Sequence, residues 1–515
     1  MSQRSDIAGQ QPLTIRLHAT DNVIVAGSEL SPGTELAGEG VCVAEPIPRG
    51  HKLATAPIAS GDAVRKYGQI IGFASVDIGA GQHVHTHNVE MRDFIRDPRI
   101  GEEARPTAMV PEADRATFQG IVRADQRVAT RNYVGVIGTV NCSGSVARAI
   151  ADRFRGTRLD PYPNVDGVVA LHHGSGCCTA ADGEGYTYLK RVLAGYARHP
   201  NFAGVLLVGL GCEVAQARDV MEAEGIEPGP LARAIVIQDS GGTEPTIADG
   251  IAHLEEMLAL ADDVRRQAVP ASHLVLGMEC GGSDAYSGIS ANPALGAAAD
   301  LVVRHGGTVV FGETPEIYGA EHLLTRRAVS REVGEKLIGL IRWWEDYVAR
   351  NGGEMNNNPT PGNKAGGLTT ILEKSLGAAA KGGTTNLVDV YGFAEKITAK
   401  GLVFMDTPGY DPVSITGMVA GGANVIGFTT GRGSVFGGKP VPSFKLATNT
   451  PMYERMAGDM DVNCGLVVAG EASVEEMGER IFHLLLDIAS GARTRSETLG
   501  FGDQEFVPWQ IGAVM

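Results

Sequence analysis

The sequence predicts an α/β chain: a small β-rich amino-terminal domain, then two α/β domains with mainly parallel sheets. Three observations carry this reading. Up to residue 91, short apolar runs alternate with turn residues, as in a small β domain. Beyond residue 118, β-branched runs alternate with helix-forming stretches at about the length of a strand–helix unit. Two polar, proline-bearing segments, 92–117 and 351–363, separate the three regions.

Residues 1–91 hold the runs TIRLHA, NVIVAG, VCVAEPI and KLATAPI, parted by the turns SPGT, IPRG and ASGD, and end near HVHTHN. Side chains alternate along a strand, so His83, His85 and His87 are expected on one face. Residues 92–117, with RDPRIGEEARPTAMVPEAD, read as a linker. From 118 to 350 the apolar runs YVGVIGTVNC, GVVALHHGSGC, GVLLVGLGC and LVLGMEC end on Cys142, Cys177, Cys212 and Cys280. Helix-forming stretches follow the first three, which favours a parallel sheet. Residues 351–515 begin with NGGEMNNNPTPGN and continue through the strand-like runs NLVDV, GLVFMDTP, NVIGFTTGRG and SFKLATN. The segment VEEMGERIFHLLLDIASG has an apolar face at helical spacing and stops at Gly491.

The 515 residues, 43% hydrophobic and 20% charged, suit a multidomain globular protein. A net charge of −16 disfavours nucleic acid and anionic membranes as partners, while leaving room for a small anionic substrate. No apolar stretch is long enough to span a membrane, and MSQRSDIAGQQ lacks a signal-peptide core. Seven cysteines in a chain of this length do not make a disulfide framework. The expectation is a cytoplasmic protein and, from base rates for large enzymes, a homo-oligomer.

The strand-end cysteines carry the strongest chemical signal. Cys142, Cys177 and Cys212 are spaced 35 residues apart. Parallel sheets bind ligands beyond the carboxyl ends of their strands. Thiols there can converge on a metal site, although any one buried cysteine is more often a packing residue. Cys178, Cys42 and Cys464 are assigned to packing. Imidazoles in the 83–87 run and His173, four residues before Cys177, are candidate ligands or acids and bases. Gly-rich segments with cations, NPTPGNKAGG, EKSLG, KGGTT and TTGRGS, suit a small-anion cradle. They match neither a P-loop nor GxGxxG, which makes a Rossmann-type oxidoreductase a poor reading.

These segments also carry a resemblance. RADQRVATRNYVGVIGTVNCS, HHGSGC, HPNFAGVLLVGLGCE, ECGGSDAYSGISANPALG, NPTPGNKAGGLTTILEKSLG and FTTGRGSVFG resemble the altronate/galactarate dehydratase family, from about residue 14 to the carboxyl terminus. The first domain, with DNV at 21–23, GHK at 50–52 and HVHTHN at 83–88, resembles a small SAF-type domain. The resemblance implies an iron-dependent hydro-lyase that converts a sugar acid into a 2-keto-3-deoxy acid. HVHTHN is similar to the altronate branch and DMDVNCG to the galactarate branch, and a related branch releases sulfite from sulfolactate.

Dehydration of this kind needs a Lewis acid at the substrate carboxylate, a base for the C2 proton and an acid for the C3 hydroxyl. Iron, as Fe2+ or an iron–sulfur cluster, is expected on Cys142, Cys177, Cys212 and Cys280. Proton transfer is assigned to His173, then His85 and His87. Lys364, Lys374 and Arg432 are expected to hold the distal end of the substrate, and Arg131 and Asn132 the reacting carboxylate. The competing readings are a sulfo-lyase on the same scaffold and a non-catalytic sugar-acid binding protein.

Overall fold

The computed structural model describes residues 12–92, 94, 98–223 and 225–512. The segment read as lacking a signal core, 1–11, lies outside them. In the first domain Thr14–Ile15, Val23–Ala26, Lys52–Ala54 and His83–Val84 form an antiparallel sheet in that order. Ala63–Lys66, Gln69–Ala74 and Val89–Glu90 form a second antiparallel sheet. One apolar cluster, Ile24, Ala26, Leu30, Leu36, Val41, Val43, Ile47 and Leu53, closes within the domain, and a second is shared. Val23, Ala54, Ile58, Val64, Ile71 and Val84 pack with Ala320, Leu376 and Ala379 of the carboxyl-terminal part of the chain.

The next unit is a parallel sheet ordered Gly167–Leu171, Tyr133–Gly138, Phe202–Gly209, Ala232–Val236. Its central strands are almost continuously apolar because helices cover both faces. Thr117–Val122 pairs antiparallel with Arg266–Pro270, so the two ends of the unit are stitched together. The last unit is a seven-stranded parallel sheet ordered Leu387–Tyr391, Gly401–Met405, Thr308–Phe311, Val275–Cys280, Val425–Thr430, Ser443–Ala447, Val462–Asn463. Its two earliest strands precede the break expected at residue 351. The change of sheet therefore falls between Pro270 and Val275, and 351–363 is an inserted turn-rich segment of the last domain. The expected linker is laid against that domain: Gly101 N–H donates to the Thr325 carbonyl (2.9 Å) and Val110 N–H to that of Arg304 (2.8 Å). No helix among the described residues is long and apolar enough to cross a membrane.

Arg131 and Asn132 sit at the amino end of Tyr133–Gly138, the opposite edge of the sheet from Cys142. Arg131 is 1% exposed and binds Glu497 through Nε (2.6 Å) and Nη2 (2.9 Å). Its remaining N–H groups reach the carbonyls of Thr130, Ile488 and Ala492. Asn132 is also buried, donating to the carbonyls of Asn164 and Ala261. Arg131 ties the middle unit to the last domain and Asn132 braces the middle unit itself, and neither is free to bind a substrate carboxylate.

The first domain docks on the last through a buried charge triad. Lys52 Nζ lies 2.9 Å from Glu373 Oε2, and Lys66 Nζ 2.9 Å from Glu373 Oε1. Glu373 also accepts from the Thr369 N–H and hydroxyl, and the Thr370 hydroxyl donates to the Ile71 carbonyl. Backbones meet closely beside it. A Cβ on Gly367 (φ +98°) would stand 2.5 Å from the Gly50 carbonyl oxygen. The two ammoniums hold the Glu373 carboxyl far below the usual range despite its burial, and burial pulls Lys52 down to about 8.

Two outcomes follow from these buried pairs. Glu373→Gln leaves two buried ammoniums uncompensated and is expected to lower the first unfolding transition by about 3–5 kcal/mol. Because the folded carboxyl titrates below its ordinary value of 4.5, its contribution is complete above that pH and is withdrawn as the pH falls further. Denaturation followed across the acid range checks this, and an unchanged midpoint in the variant refutes it. Arg131→Met is expected to cost a similar 3–5 kcal/mol by stranding Glu497, with KM unchanged. A raised KM at unaltered stability would return Arg131 to substrate binding.

Candidate functional site

Three groups of chemistry-bearing side chains stand out. At the carboxyl edge of the four-stranded sheet, Cys142, Cys177 and Cys212 follow strands ending at Gly138, Leu171 and Gly209. Cys142, Cys177 and Cys178 line one cavity of about 550 Å³ with Tyr186, Leu189 and Trp509. Cys178, expected to pack, is exposed, and its Sγ lies 3.5 Å from that of Cys177. His173 is buried below the same loops with Nδ1 3.1 Å from Ser175 Oγ, and burial pushes it down to about 4. Cys280 does not join this group. Its strand belongs to the seven-stranded sheet, where its buried Sγ lies 2.8 Å from Ser283 Oγ.

The second group is built by the first domain. Antiparallel register sets Leu53 opposite His83, which brings His51, just before that strand, up to the histidine run. His51 Nδ1 lies 2.9 Å from His83 Nε2, and the His85 ring centroid is 4.8 Å from that of His51. Ring nitrogens of His51, His83 and His85 all fall within 4.8 Å of one another. Burial, reinforced by neighbouring imidazoles and Lys52, lowers His83 to about 4 and His85 to about 3, and it lowers His51 as well. The rings are therefore neutral near pH 7, the form in which an imidazole can ligate a metal, although His51 and His83 are here hydrogen-bonded to each other. His85 Nδ1 is buried without a hydrogen-bond partner among the described residues. His51 Nε2 approaches the Ala365 carbonyl at 3.3 Å, fixing the group against the last domain. His87 is exposed, its ring 5.4 Å from that of His83. The three-imidazole face thus takes two members from the 83–87 run and one from His51.

The third group lies at the carboxyl ends of the central strands of the seven-stranded sheet. Glu279 precedes Cys280, Glu313 follows Thr308–Phe311, and Asp411 opens the helix Asp411–Gly421. One oxygen from each lies within 4.8 Å of the others. Lys381 Nζ is 3.0 Å from Glu313 Oε2. Lys374 Nζ is 2.6 Å from Glu316 Oε1 and 2.7 Å from Asn358 Oδ1. Glu279 Oε2, Glu313 Oε1 and Glu316 Oε2 are buried without hydrogen-bond partners among the described residues. Burial and neighbouring carboxylates raise Glu279 well above its ordinary range, raise Glu316, and bring Asp411 to about 7. Gly281 admits this crowding, since a Cβ there would meet Asp411 Oδ2 at 2.3 Å. Such a set can hold a hard cation or share protons.

The cations expected to bind substrate divide. Lys374 is neutralised by Glu316 and so is part of the carboxylate group. Arg432 is exposed on the loop after Val425–Thr430, whose backbone N–H groups at Gly431 and Arg432 donate to the Gly282 carbonyl (3.1 and 2.9 Å). Lys364 lines a cavity of about 800 Å³ along the seam between first and last domains, with Thr86, Arg92, Tyr318 and Asn356. His51 and Glu279 lay within quoted motifs but were given no role, Lys381 was read only as part of the KGGTT anion cradle, and Glu313 and Asp411 escaped the sequence reading. Glu279 and Glu313 carried a usable signal, because both stand at strand ends as Cys280 does.

Comparison with known proteins covers the whole arrangement. Residues 12–92 match the altronate/galactarate dehydratase SAF domain, and 120–262 the second domain of D-galactarate dehydratase/altronate hydrolase. Residues 271–514 match the D-galactarate/altronate dehydratase C-terminal domain, in agreement with the change of sheet after Pro270. Altronate dehydratase of Bacillus subtilis (strain 168) is 35% identical over 494 residues, 95% of this chain and 97% of that protein. Galactarate dehydratase (L-threo-forming) of Escherichia coli (strain K12) is 37% identical over 499 residues, 95% of each chain. The beta subunit of (2R)-sulfolactate sulfo-lyase from Chromohalobacter salexigens is 32% identical over 398 residues, 76% of this chain and 96% of that subunit. The chain belongs to the D-galactarate/altronate dehydratase family of hydro-lyases.

Proposed function

We propose that this chain removes water from an altronate- or galactarate-type sugar acid to give a 2-keto-3-deoxy acid, at the seam between the first and last domains. The observation that carries the reading is the group of three neutral imidazoles, His51, His83 and His85, fixed against the loop at Ala365. Iron suits this donor set, since imidazole is a common ligand for it and His85 Nδ1 is buried and unpartnered. The cysteine ligands expected for the catalytic ion give way here to imidazoles, because none of Lys364, Lys374 and Arg432 lines the cysteine cavity.

A bound divalent iron supplies Lewis acidity toward the substrate carboxylate and its neighbouring hydroxyl. The C2 hydrogen beside a carboxylate is barely acidic, so its removal needs a base already close to neutrality. Asp411, brought to about 7 by burial and by Glu313 and Glu316, is matched to that task. His87, exposed at the rim of the imidazole group, is suited to protonating the departing C3 hydroxyl. The resulting enol tautomerises to the keto acid. Lys364 on the cavity wall and Arg432 at the sheet edge supply positive charge for the far end of the substrate. His173 lies beside the cysteines and is held neutral by burial, so it takes no part in this scheme.

Release of sulfite from sulfolactate is the second reading, favoured by the likeness of most of the chain to a sulfo-lyase beta subunit. Turnover of altronate, galactarate and sulfolactate by anaerobically purified protein separates the two. His83→Ala and His85→Ala are expected to lose bound iron and activity together while remaining folded. Asp411→Asn is expected to lower kcat by about 10²–10⁴-fold with iron retained. Full turnover by metal-free protein, or an unchanged kcat in Asp411→Asn, refutes the scheme.

A further inference from the structure

The dehydration scheme uses none of the thiols at the edge of the four-stranded sheet, yet the fold spends effort bringing them together. Cys142, Cys177 and Cys212 lie beyond three adjacent parallel strands. Their loops are bonded to one another within three residues of each cysteine. Asn141 N–H donates to the Ser175 carbonyl (3.0 Å), Val214 N–H donates to that of Gly176 (3.2 Å), and Thr139 Oγ1 donates to Glu213 Oε1 (2.8 Å). A Cβ on Gly176 would stand 2.4 Å from the Thr139 carbonyl oxygen, so this residue must be glycine for the loops to close. Cys178 holds a left-handed backbone (φ +53°), which a non-glycine residue adopts at a cost of about 1–3 kcal/mol. That turn sets its thiol beside Cys177.

We propose that Cys142, Cys177 and Cys212 bind an iron–sulfur cluster, with Cys178 offering the fourth thiolate, at a site separate from the imidazoles and carboxylates. Thiolates are soft ligands that select zinc, copper(I) or iron–sulfur clusters. A single tetrahedral ion with metal–sulfur bonds of about 2.3 Å needs its sulfurs roughly 3.8 Å apart. Among the described residues no three cysteines bring their sulfurs within 4.8 Å of one another. A cluster spreads its thiolates over separate irons and suits this wider set. The cavity of about 550 Å³ is lined by Cys142, Cys177 and Cys178, with apolar walls from Leu189, Trp509 and Ile511, and Cys212 stands outside that lining on the adjoining loop. Gln238 Nε2 points a hydrogen bond at Cys212 Sγ (3.7 Å), the kind of contact that tunes a cluster through its sulfur ligands.

The test uses the full chain, purified without oxygen and reconstituted with ferrous iron and sulfide. Acid-labile sulfide, a broad visible absorption that bleaches on reduction, and a paramagnetic reduced state are the readouts. Wild type and Cys42→Ser are expected to show all three. Cys142→Ser, Cys177→Ser and Cys212→Ser are each expected to lose most of the sulfide and absorption while circular dichroism reports an intact fold. His85→Ala is expected to keep the sulfide while losing the other iron, so this proposal and the dehydration scheme fail independently. Wild type without sulfide, sulfide retained when all three cysteines are replaced, or stoichiometric zinc in place of iron overturns the proposal.

Discussion

Burial of Lys52 and Lys66 on either side of Glu373 is the contact on which the rest of the molecule depends. An ammonium cannot be taken from water without a partner, and here two of them share one carboxylate that belongs to another domain. The first domain closes one apolar cluster from its own residues, Ile24 to Leu53, but its second is completed by Ala320, Leu376 and Ala379, and its buried lysines by Glu373. Charge and apolar surface impose the same docking. His51 adjoins Lys52 in sequence and meets Ala365, a few residues before Glu373. The geometry of the imidazole group is thus inherited from the triad.

The carboxylates of the last domain pose the opposite problem. Glu279, Glu313 and Glu316 are buried, and each keeps an oxygen without a partner among the described residues. Such burial costs stability, and Glu313 adds a left-handed backbone (φ +63°) worth about 1–3 kcal/mol of strain. A fold tolerates this where chemistry needs groups that titrate away from their ordinary values. The surrounding sheet makes it bearable: apart from Glu279 and Thr308 these strands are apolar, and Lys374 and Lys381 neutralise part of the charge.

Local pattern in the sequence was enough for the α/β class, for the small antiparallel first domain and for setting Cys142, Cys177 and Cys212 after three adjacent parallel strands. It failed wherever the answer depended on pairing between distant segments. Cys280 has the same local context as the other strand-end cysteines, but nothing in its run says which sheet the strand joins. The break placed at residue 351 missed the pairing of Thr117–Val122 with Arg266–Pro270, a contact across some 150 residues that closes the middle domain early. The role of His51 was invisible because antiparallel register, not spacing, brings it to His83. Arg131 and Asn132 were misread through proximity to a good strand, since they stand at its amino end and ligands gather at the other.

The two sheets thus present two kinds of ligand at their carboxyl edges. Thiols stand at the four-stranded edge and carboxylates at the seven-stranded one, while the imidazoles of the first domain are fixed against the last domain at Ala365. Softness sorts metals between such sets more reliably than affinity does, because nitrogen and oxygen donors leave hard or borderline ions exchangeable while thiolates retain soft centres. Keeping the sets on different sheets also keeps their titrations apart. The imidazoles are already neutral at pH 7, so an ion can enter without displacing protons from them. Free thiols must give up protons before they ligate. An ion offered to the whole chain at neutral pH therefore meets less competition from protons at the seam of the first and last domains, the place that the proposed dehydration scheme assigns to it.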